Sequence, residues 1–385
     1  MWLRRIGAPG PAIVLLLLAG GLVSHAWAGE ITSVTNYQIV ARLTGADSIN
    51  HTNTYDIGGC DLGHMVNYNG KTYFLFGDTF SGETPTQGGN WRNNTMAYST
   101  DANFRDGITF DGWVNVSPTN GRAREVISPA NTMITNIPTG AISVNGYIYA
   151  WYMSVSDWNG WKLDHAGLAR WNGTTNKFQI LNDSFFAGDS SFGMVAASQR
   201  SPLENVNDNY VYVWGTPGGR QNGVKLARVL PTDIENHAAY QYYDGTANGS
   251  PQWISDEYAA EVIVPPGVGE MSVMYNQAVG EWTMMYLNGI NYAIEMRQSP
   301  TPWGPWSDPI RVKSTYLGLD YAPFMNPLYI EDGGRTIYFT ISEWSTYDVY
   351  LAKATLNIIP EPGTLALFGV GMGVVSMIRR RNRHV

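Results

Sequence analysis

The stretch Gly59 to Phe80, GCDLGHMVNYNGKTYFLFGDTF, sets two half-apolar runs on either side of Asn69-Gly70. Asn-Gly between such runs is the strongest short-range signal for a two-residue hairpin, because both residues tolerate the positive φ that the turn needs. With Asn69 and Gly70 as the loop, Tyr68 faces Lys71. The same register sets Asp61 directly opposite Asp78 at the open end of the hairpin. Like charges facing each other across strands destabilise a sheet. The pattern therefore predicts two carboxylates held close on one face, with something that compensates or exploits them.

The sequence of run, turn and aromatic-rich run recurs four more times. GAISVNGYIYAWYMSV turns at Asn145-Gly146, and SSFGMVAASQR continues through a longer connection into NDNYVYVWGT. GEMSVMYNQAVGEWTMMYLNG turns near Ala278 to Gly280, and YAPFMNPLYIEDGGRTIYFTISEW near Asp332 to Gly334. Each hairpin is followed by a third strand-like run: TMAYST, HAGLARW, GVKLARV, YAIEMRQS and DVYLAKATL. The middle of the chain is rich in Gly, Tyr, Trp, Asn and Thr and shows no long amphipathic helical pattern, which favours an all-β fold. Repeated antiparallel units arranged radially make a β-propeller, and five units predict five blades. Two stacked sandwiches are the other arrangement, less favoured because the unit recurs around a common hairpin. The fifth unit lacks a fourth strand. NYQIVARLT, residues 36–44, precedes the first unit without a partner, so it is expected to close the ring as the outer strand of the last blade.

That topology has a chemical consequence. In a propeller blade the innermost strand starts at the face where the second strand ends, so Asp61 and Asp78 belong at the mouth of the central channel. Glu270 starts the inner strand of the fourth unit, and Glu343 ends the second strand of the fifth. Loops on the same face supply Trp91, Arg92, Asn93 and Asn94, then Trp158, Trp161, Asp164 and His165, then Trp344 and Tyr347, while Tyr321 enters the fifth unit. Aromatic faces beside amides, acids and an arginine suit sugars, whose C–H faces pack on rings while their hydroxyls take hydrogen bonds. Any single tryptophan in such a position is more often packing in the core or between blades. The expected sugar contacts are Trp91, Arg92, Asn94, Trp158, Tyr321, Glu343 and Trp344.

Glycoside hydrolysis needs one protonated and one ionised carboxylate across the scissile bond, and neighbouring acids push one pKa up. The expected catalytic set is Asp61 as base or nucleophile, Asp78 holding or tuning it, and Glu270 as proton donor. Two structural alternatives stand beside it. Gly-Asp-Thr after a strand also caps a turn, and rim carboxylates also suit Ca2+. No cofactor is required by the hydrolytic reading. His64 falls in the first inner strand, where it would line the channel or pack in the core. No Walker-type loop, Gly-x-Ser-x-Gly elbow or His-Glu-x-x-His occurs.

The two ends of the 385-residue chain read as addresses. Residues 1–28 carry Arg4 and Arg5, an apolar run from Ala12 to Val23, and Ala26-Trp27-Ala28, the pattern of a signal peptide for signal peptidase. Pro360-Glu361-Pro362 opens the other end, an apolar segment from Thr364 to Ile378 follows, and arginines close it, as in a short membrane helix with a positive inner flank. The chain is formally −8, and setting aside the six arginines of the ends leaves the middle at about −14. Such a surface repels nucleic acid and anionic lipid. Cys60 is the only cysteine, so no internal disulfide forms. A monomer is expected, with residues 29–357 as the propeller and residues 358–385 as the tail.

The order of parts in the tail resembles the PEP-CTERM sorting signal of Gram-negative bacteria. That resemblance implies export, transient anchoring in the inner membrane, cleavage by an exosortase-type enzyme, and delivery to the outer surface or extracellular matrix. Asp61-Leu62-Gly63, FLFGDTF and WRNNTMAYSTD (91–101) resemble, in the same order, the domain-of-unknown-function family 4185, DUF4185. The resemblance implies a five-bladed propeller over about residues 45–356. Some members are assigned as endo-D-arabinan-degrading glycoside hydrolases, which implies an arabinanase-like activity on an extracellular polysaccharide, with Asp61 and Asp78 at the matching motif positions. A non-catalytic carbohydrate-binding or matrix-adhesion propeller, with Ca2+ at the rim acids, is the alternative.

Overall fold

The computed structural model describes residues 29–360, apart from 118, 131–132, 160, 205 and 207. The expected signal peptide and the tail from residue 361 onward lie outside the described residues. What is described is all-β, with a few short 3-10 turns.

Strand β1 (Gly29–Arg42) leads into β2 (Gly59–Tyr68), β3 (Lys71–Phe80), β4 (Thr95–Ser99) and β5 (Gly112–Trp113), and the last four form one antiparallel sheet in that order. A small hairpin, β6 (Asn115–Ser117) with β7 (Asn120–Ala123), follows. Strands β8 (Thr135–Val144), β9 (Tyr147–Asp157), β10 (Lys162–Asn172) and β11 (Lys177–Ala187) make the second sheet. The third unit is β12 (Met194–Gln199), β13 (Val211–Thr216) and β14 (Asn222–Val229), extended by β15 (Gln241–Ala247) and β16 (Ser250–Ile254). The fourth is β17 (Val264–Asn276), β18 (Glu281–Asn288), β19 (Ala293–Ser299) and β20 (Ile310–Ser314). The last is β21 (Asp320–Glu331), β22 (Thr336–Glu343) and β23 (Asp348–Pro360), with β1 hydrogen-bonded along the outer side of β23 from Gly29↔Pro360 to Arg42↔Tyr350.

The third and fourth units are not separate sheets. The leading part of β17 reaches back to β14 through Asn222↔Val268 and Val224↔Val264, giving one nine-stranded sheet. The cause is local: β17 starts six residues ahead of Glu270 and bends at Gly267, whose φ is 121°, so its first residues are free to pair elsewhere. The first strands of the five units, β2, β8, β12, β17 and β21, contact one another in that order, and β21 contacts β2. Leu62, Ile137, Met194, Met271 and Phe324 bring all five together at one tight constriction. Neighbouring units pack through large apolar side chains, such as Trp214 of the third against Trp282 of the fourth at 5.4 Å between ring centroids.

The first hairpin departs from the simple register in one decisive place. Tyr68↔Lys71 through His64↔Leu75 keep the expected pairing, and so do Cys60↔Thr79 and Gly59↔Phe80. Between those stretches Leu62 faces Phe76. One extra residue therefore sits on β3 within Gly77-Asp78, and one on β2 at Gly63. Asp61 and Asp78 are thus not a ladder pair, as the uninterrupted register required. Compensating bulges swing both side chains out of the regular pleat. Leu62 and Gly63 carry φ values of 69° and 77° to make the turn. The last sheet holds it in place: Leu62 N–H donates to Ser342 Oγ at 2.8 Å, and Thr340 Oγ1 donates to the Gly63 carbonyl at 3.0 Å.

Gly63→Ala puts an L side chain at φ 77° with its Cβ 2.9 Å from Val349 Cγ1. It is expected to lower stability by about 1–3 kcal/mol, read as a lower urea midpoint at unchanged slope.

Candidate active site

Asp61 in β2 and Asp78 near the end of β3 form the acidic floor of a cavity of about 510 Å³. Its walls are Phe80, Pro85, Trp91, Trp158, Trp161, Trp344 and Tyr347. These come from three connections between second and third strands: β3 to β4, β9 to β10, and β22 to β23. Trp91, Trp158 and Trp344 are 46%, 46% and 49% exposed and stand at the rim, whereas Phe80 and Tyr347 are buried below them. Trp91 stacks on Phe80 at 6.1 Å and 18°, and Trp344 meets Tyr347 edge-on at 5.5 Å. A cavity of this size, apolar at the sides and polar at one point, is the usual form of a small-ligand site.

The two acids are buried differently. Asp61 is 5% exposed; its Oδ2 accepts from Tyr321 Oη at 2.8 Å, and its Oδ1 is buried without a partner. Burial, then the nearby Asp78, pushes its pKa up to about 8, with the Tyr321 hydrogen bond and Arg220 pulling the other way. Asp78 accepts from Thr135 Oγ1 at 2.6 Å and from Trp91 Nε1 at 2.8 Å, both at Oδ1. Burial raises its pKa to about 6, less far because those two donors favour the anion. The pair is therefore set apart: one acid prefers to keep its proton, the other to lose it.

Glu270 is near Asp61 but is not a wall of this cavity. It lines the constriction below, where its Oε1 accepts from Arg220 Nε at 3.0 Å and Nη2 at 2.6 Å. The Arg220 guanidinium in turn lies 4.7 Å from the Tyr321 ring centre and 5.1 Å from that of Trp161. Glu270 reads as the counter-ion of a buried arginine rather than as a proton donor. Tyr321 is also placed otherwise than expected: its ring is buried, and it serves the site through its hydroxyl on Asp61.

Three expected sugar contacts point elsewhere. Arg92 is buried and donates to the Asp56 carbonyl at 2.7 Å, with Asp56 Oδ2 and the Ala123 carbonyl at 3.4 Å. Asn94 is fully buried and spends its whole amide on backbone, donating to Ile127 and Asn136 carbonyls and accepting from Val126 and Ile127 N–H. Glu343 lies in the ladder between Asp320 and Asp348 and accepts from Ser345, away from the cavity walls. Of the remaining rim candidates, His165 sits between Asp164 at 2.8 Å and Asp183 at 3.3 Å, a local cluster outside the walls. His64 packs on Phe324 at 4.8 Å in the axial space below, where burial lowers its pKa to about 4. Thr135 is a site residue the sequence reading missed. It starts β8 two residues ahead of Ile137, next to Asn136, which precedes the constriction as Asp61 and Glu270 do in β2 and β17, so unit alignment pointed one residue away from it. Arg220 had none, because it lies on an ordinary-looking Gly-rich loop. Among the described residues, no group of three or more His, Cys, Asp or Glu side chains could hold a metal ion.

A sequence profile described as Domain of unknown function (DUF4185) matches residues 47–353. The chain belongs to the DUF4185 family. The PEP-CTERM protein-sorting motif matches residues 359–381. This DUF4185 chain is 23% identical over 316 residues to an uncharacterized 35.9 kDa protein of Mycolicibacterium smegmatis, covering 77% of this chain and 90% of that one. In fold it is similar to a presumed hydrolase from Bacteroides ovatus (TM-score 0.56, 15% identity, 77% of this chain and 86% of that one). It is also similar to an exo-β-1,3-galactanase from Phanerochaete chrysosporium solved with β-1,3-galactotriose (TM-score 0.50, 14% identity, 84% of this chain and 67% of that one). Among the described residues no helix is long and apolar enough to cross a membrane, and the apolar segment Thr364 to Ile378 lies outside them.

Asn94→Ala removes four buried hydrogen bonds to the backbone of Val126, Ile127 and Asn136, and is expected to cost about 2–4 kcal/mol of stability in chemical denaturation. A surface sugar contact would cost next to none. Asp61 gives a second test. Its raised pKa means the folded state holds the proton more tightly than the unfolded chain, so its ionisation costs stability increasingly from about pH 4 to about pH 8. Asp61→Asn is expected to melt higher than wild type at about pH 8.5, with the gap closing as pH falls to about 4.

Proposed function

We propose that this chain hydrolyses glycosidic bonds of an extracellular polysaccharide, with Asp61 and Asp78 as its two acids. The observation that carries the reading is a pair of buried carboxylates with separated proton affinities at the floor of a tryptophan-walled cavity. The likeness in fold to the galactotriose-bound galactanase supports it. We take the five units as blades of a propeller, with β1 tying the last blade to the start of the chain. The sorting motif supports export by an exosortase route. A furanoside-containing glycan is the substrate that the family resemblance favours.

In this reading Asp61, expected from the sequence as base or nucleophile, takes the acid's role instead: protonated below about pH 8, it gives its proton to the leaving oxygen as the bond to the anomeric carbon breaks. Asp78, ionised above about pH 6, is the basic partner. Its Oδ1 is fixed by Trp91 and Thr135, which leaves the other oxygen unengaged by those donors. Water supplies the hydroxyl of the new reducing end, and the proton that it loses restores the balance between the two acids. Tyr321 orients Asp61, and Arg220 holds Tyr321 and Glu270 in place behind it.

The expected result is reducing-end release from a member of a polysaccharide panel, with a bell-shaped kcat/KM profile flanked near pH 6 and pH 8. Asp61→Asn and Asp78→Asn should each lower kcat/KM by about 10²–10⁴-fold while keeping a native circular dichroism spectrum. Wild-type turnover in either variant removes that aspartate from the reaction. Retention of glycan by the wild type with no product release would make the protein a binding module instead.

A further inference from the structure

No wall or floor residue of the aromatic cavity carries a positive charge. We propose that the cavity selects by charge: it takes saccharide rings without acidic substituents and rejects uronates and sulfated or phosphorylated sugars. This deepens the glycosidase reading and rests on it for the class of ligand.

Two guanidinium groups beside the walls are already committed. Arg220 gives Nε and Nη2 to Glu270 Oε1 and is sandwiched between two aromatic rings. Arg92 is buried against Asp56 and backbone carbonyls. An acidic substituent entering the cavity would therefore meet Asp78 and aromatic side chains with no cation among them. Wherever a ring turns its face inward, the negative side of its quadrupole repels an anion as the floor does. Stripping an anion of water without a partner is costly. The sugar hydroxyl is matched differently. Asp78 lines the cavity, and Trp91 and Thr135 both hold its Oδ1, so neither engages its second oxygen. A sugar hydroxyl can donate to that carboxylate, whereas a carboxylate, sulfate or phosphate anion brings acceptors only. The formal −8 of the whole chain adds a repulsion of the same sign at longer range.

The test titrates tryptophan fluorescence of the full chain at about pH 7 with length-matched oligosaccharides, neutral galacto- and arabino-oligosaccharides against oligogalacturonides. Neutral members are expected to bind at least about tenfold tighter than acidic ones, about 1.4 kcal/mol. Asp78→Asn, which removes the charge and keeps the shape, should narrow that gap. Equal or tighter binding of the acidic members overturns the charge selection while leaving hydrolysis of some glycan intact. A gap unchanged in Asp78→Asn also overturns it as argued. Absence of binding and of cleavage across every neutral member sinks both this inference and the glycosidase reading.

Discussion

Ser342 Oγ accepts the Leu62 N–H and Thr340 Oγ1 reaches the Gly63 carbonyl, so a strand of the last sheet holds the bulge of the first. The placement of the site depends on those contacts. A left-handed leucine costs on the order of 1–2 kcal/mol, and it persists because β22 supplies partners for both backbone groups it exposes. The bulge carries Asp61 out of the pleat. Gly77 completes the arrangement, since any Cβ there would collide with Asp61 Oδ1. Local strain, a remote hydrogen bond and a missing side chain thus converge on the orientation of one carboxylate.

Electrostatics explain why that carboxylate is kept apart from the arginine nearest to it. A guanidinium directly on Asp61 would drive its pKa below the normal range and leave no proton to donate. Arg220 is instead neutralised by Glu270 and reaches Asp61 only through the Tyr321 ring and hydroxyl. Tyr321 contributes a neutral donor, which fixes the geometry of Asp61 at a smaller electrostatic effect than an ion pair. Asp78 has two neutral donors and settles lower. The difference between the acids therefore comes from burial, from the Asp78 charge acting on Asp61, and from the number of donors on each, with Arg220 a minor influence on Asp61.

The hairpins were legible because their turns are chemical. Asn69-Gly70 and Asn145-Gly146 adopt the positive φ that their types announce, with Tyr68↔Lys71 and Val144↔Tyr147 closing the loops. The nearness of Asp61 to Asp78 was legible for the same reason, since two compensating bulges restore the register at Cys60↔Thr79. The bulges themselves were not, because their cause is Ser342 and Thr340, nearly three hundred residues away. Arg92 and Asn94 show a different limit. In WRNNT the polar residues look alike, yet Trp91 faces the cavity while Arg92 turns inward to the Asp56 carbonyl and Asn94 to backbone groups of the following connection. A short polar loop does not record which of its side chains serves the ligand and which serves the chain. That is decided by buried carbonyls and N–H groups contributed from elsewhere.

The division of labour between strands and loops bears on how such a fold can change substrate. Asp61 and Asp78 are strand residues of a hairpin held against the last sheet, whereas all three rim tryptophans stand on connections outside the strands. Replacing a connection alters the wall against which a sugar ring stacks and leaves the acids where they are. The reverse change is harder, because moving either acid disturbs a bulge that two sheets share. Structures with 14–15% identity to this chain can therefore keep the arrangement of sheets while their loops diverge. Under the proposed glycosidase reading, substrate choice in this DUF4185 chain belongs to the segments after β3, β9 and β22, and the capacity for acid–base chemistry to the interrupted ladder beneath them.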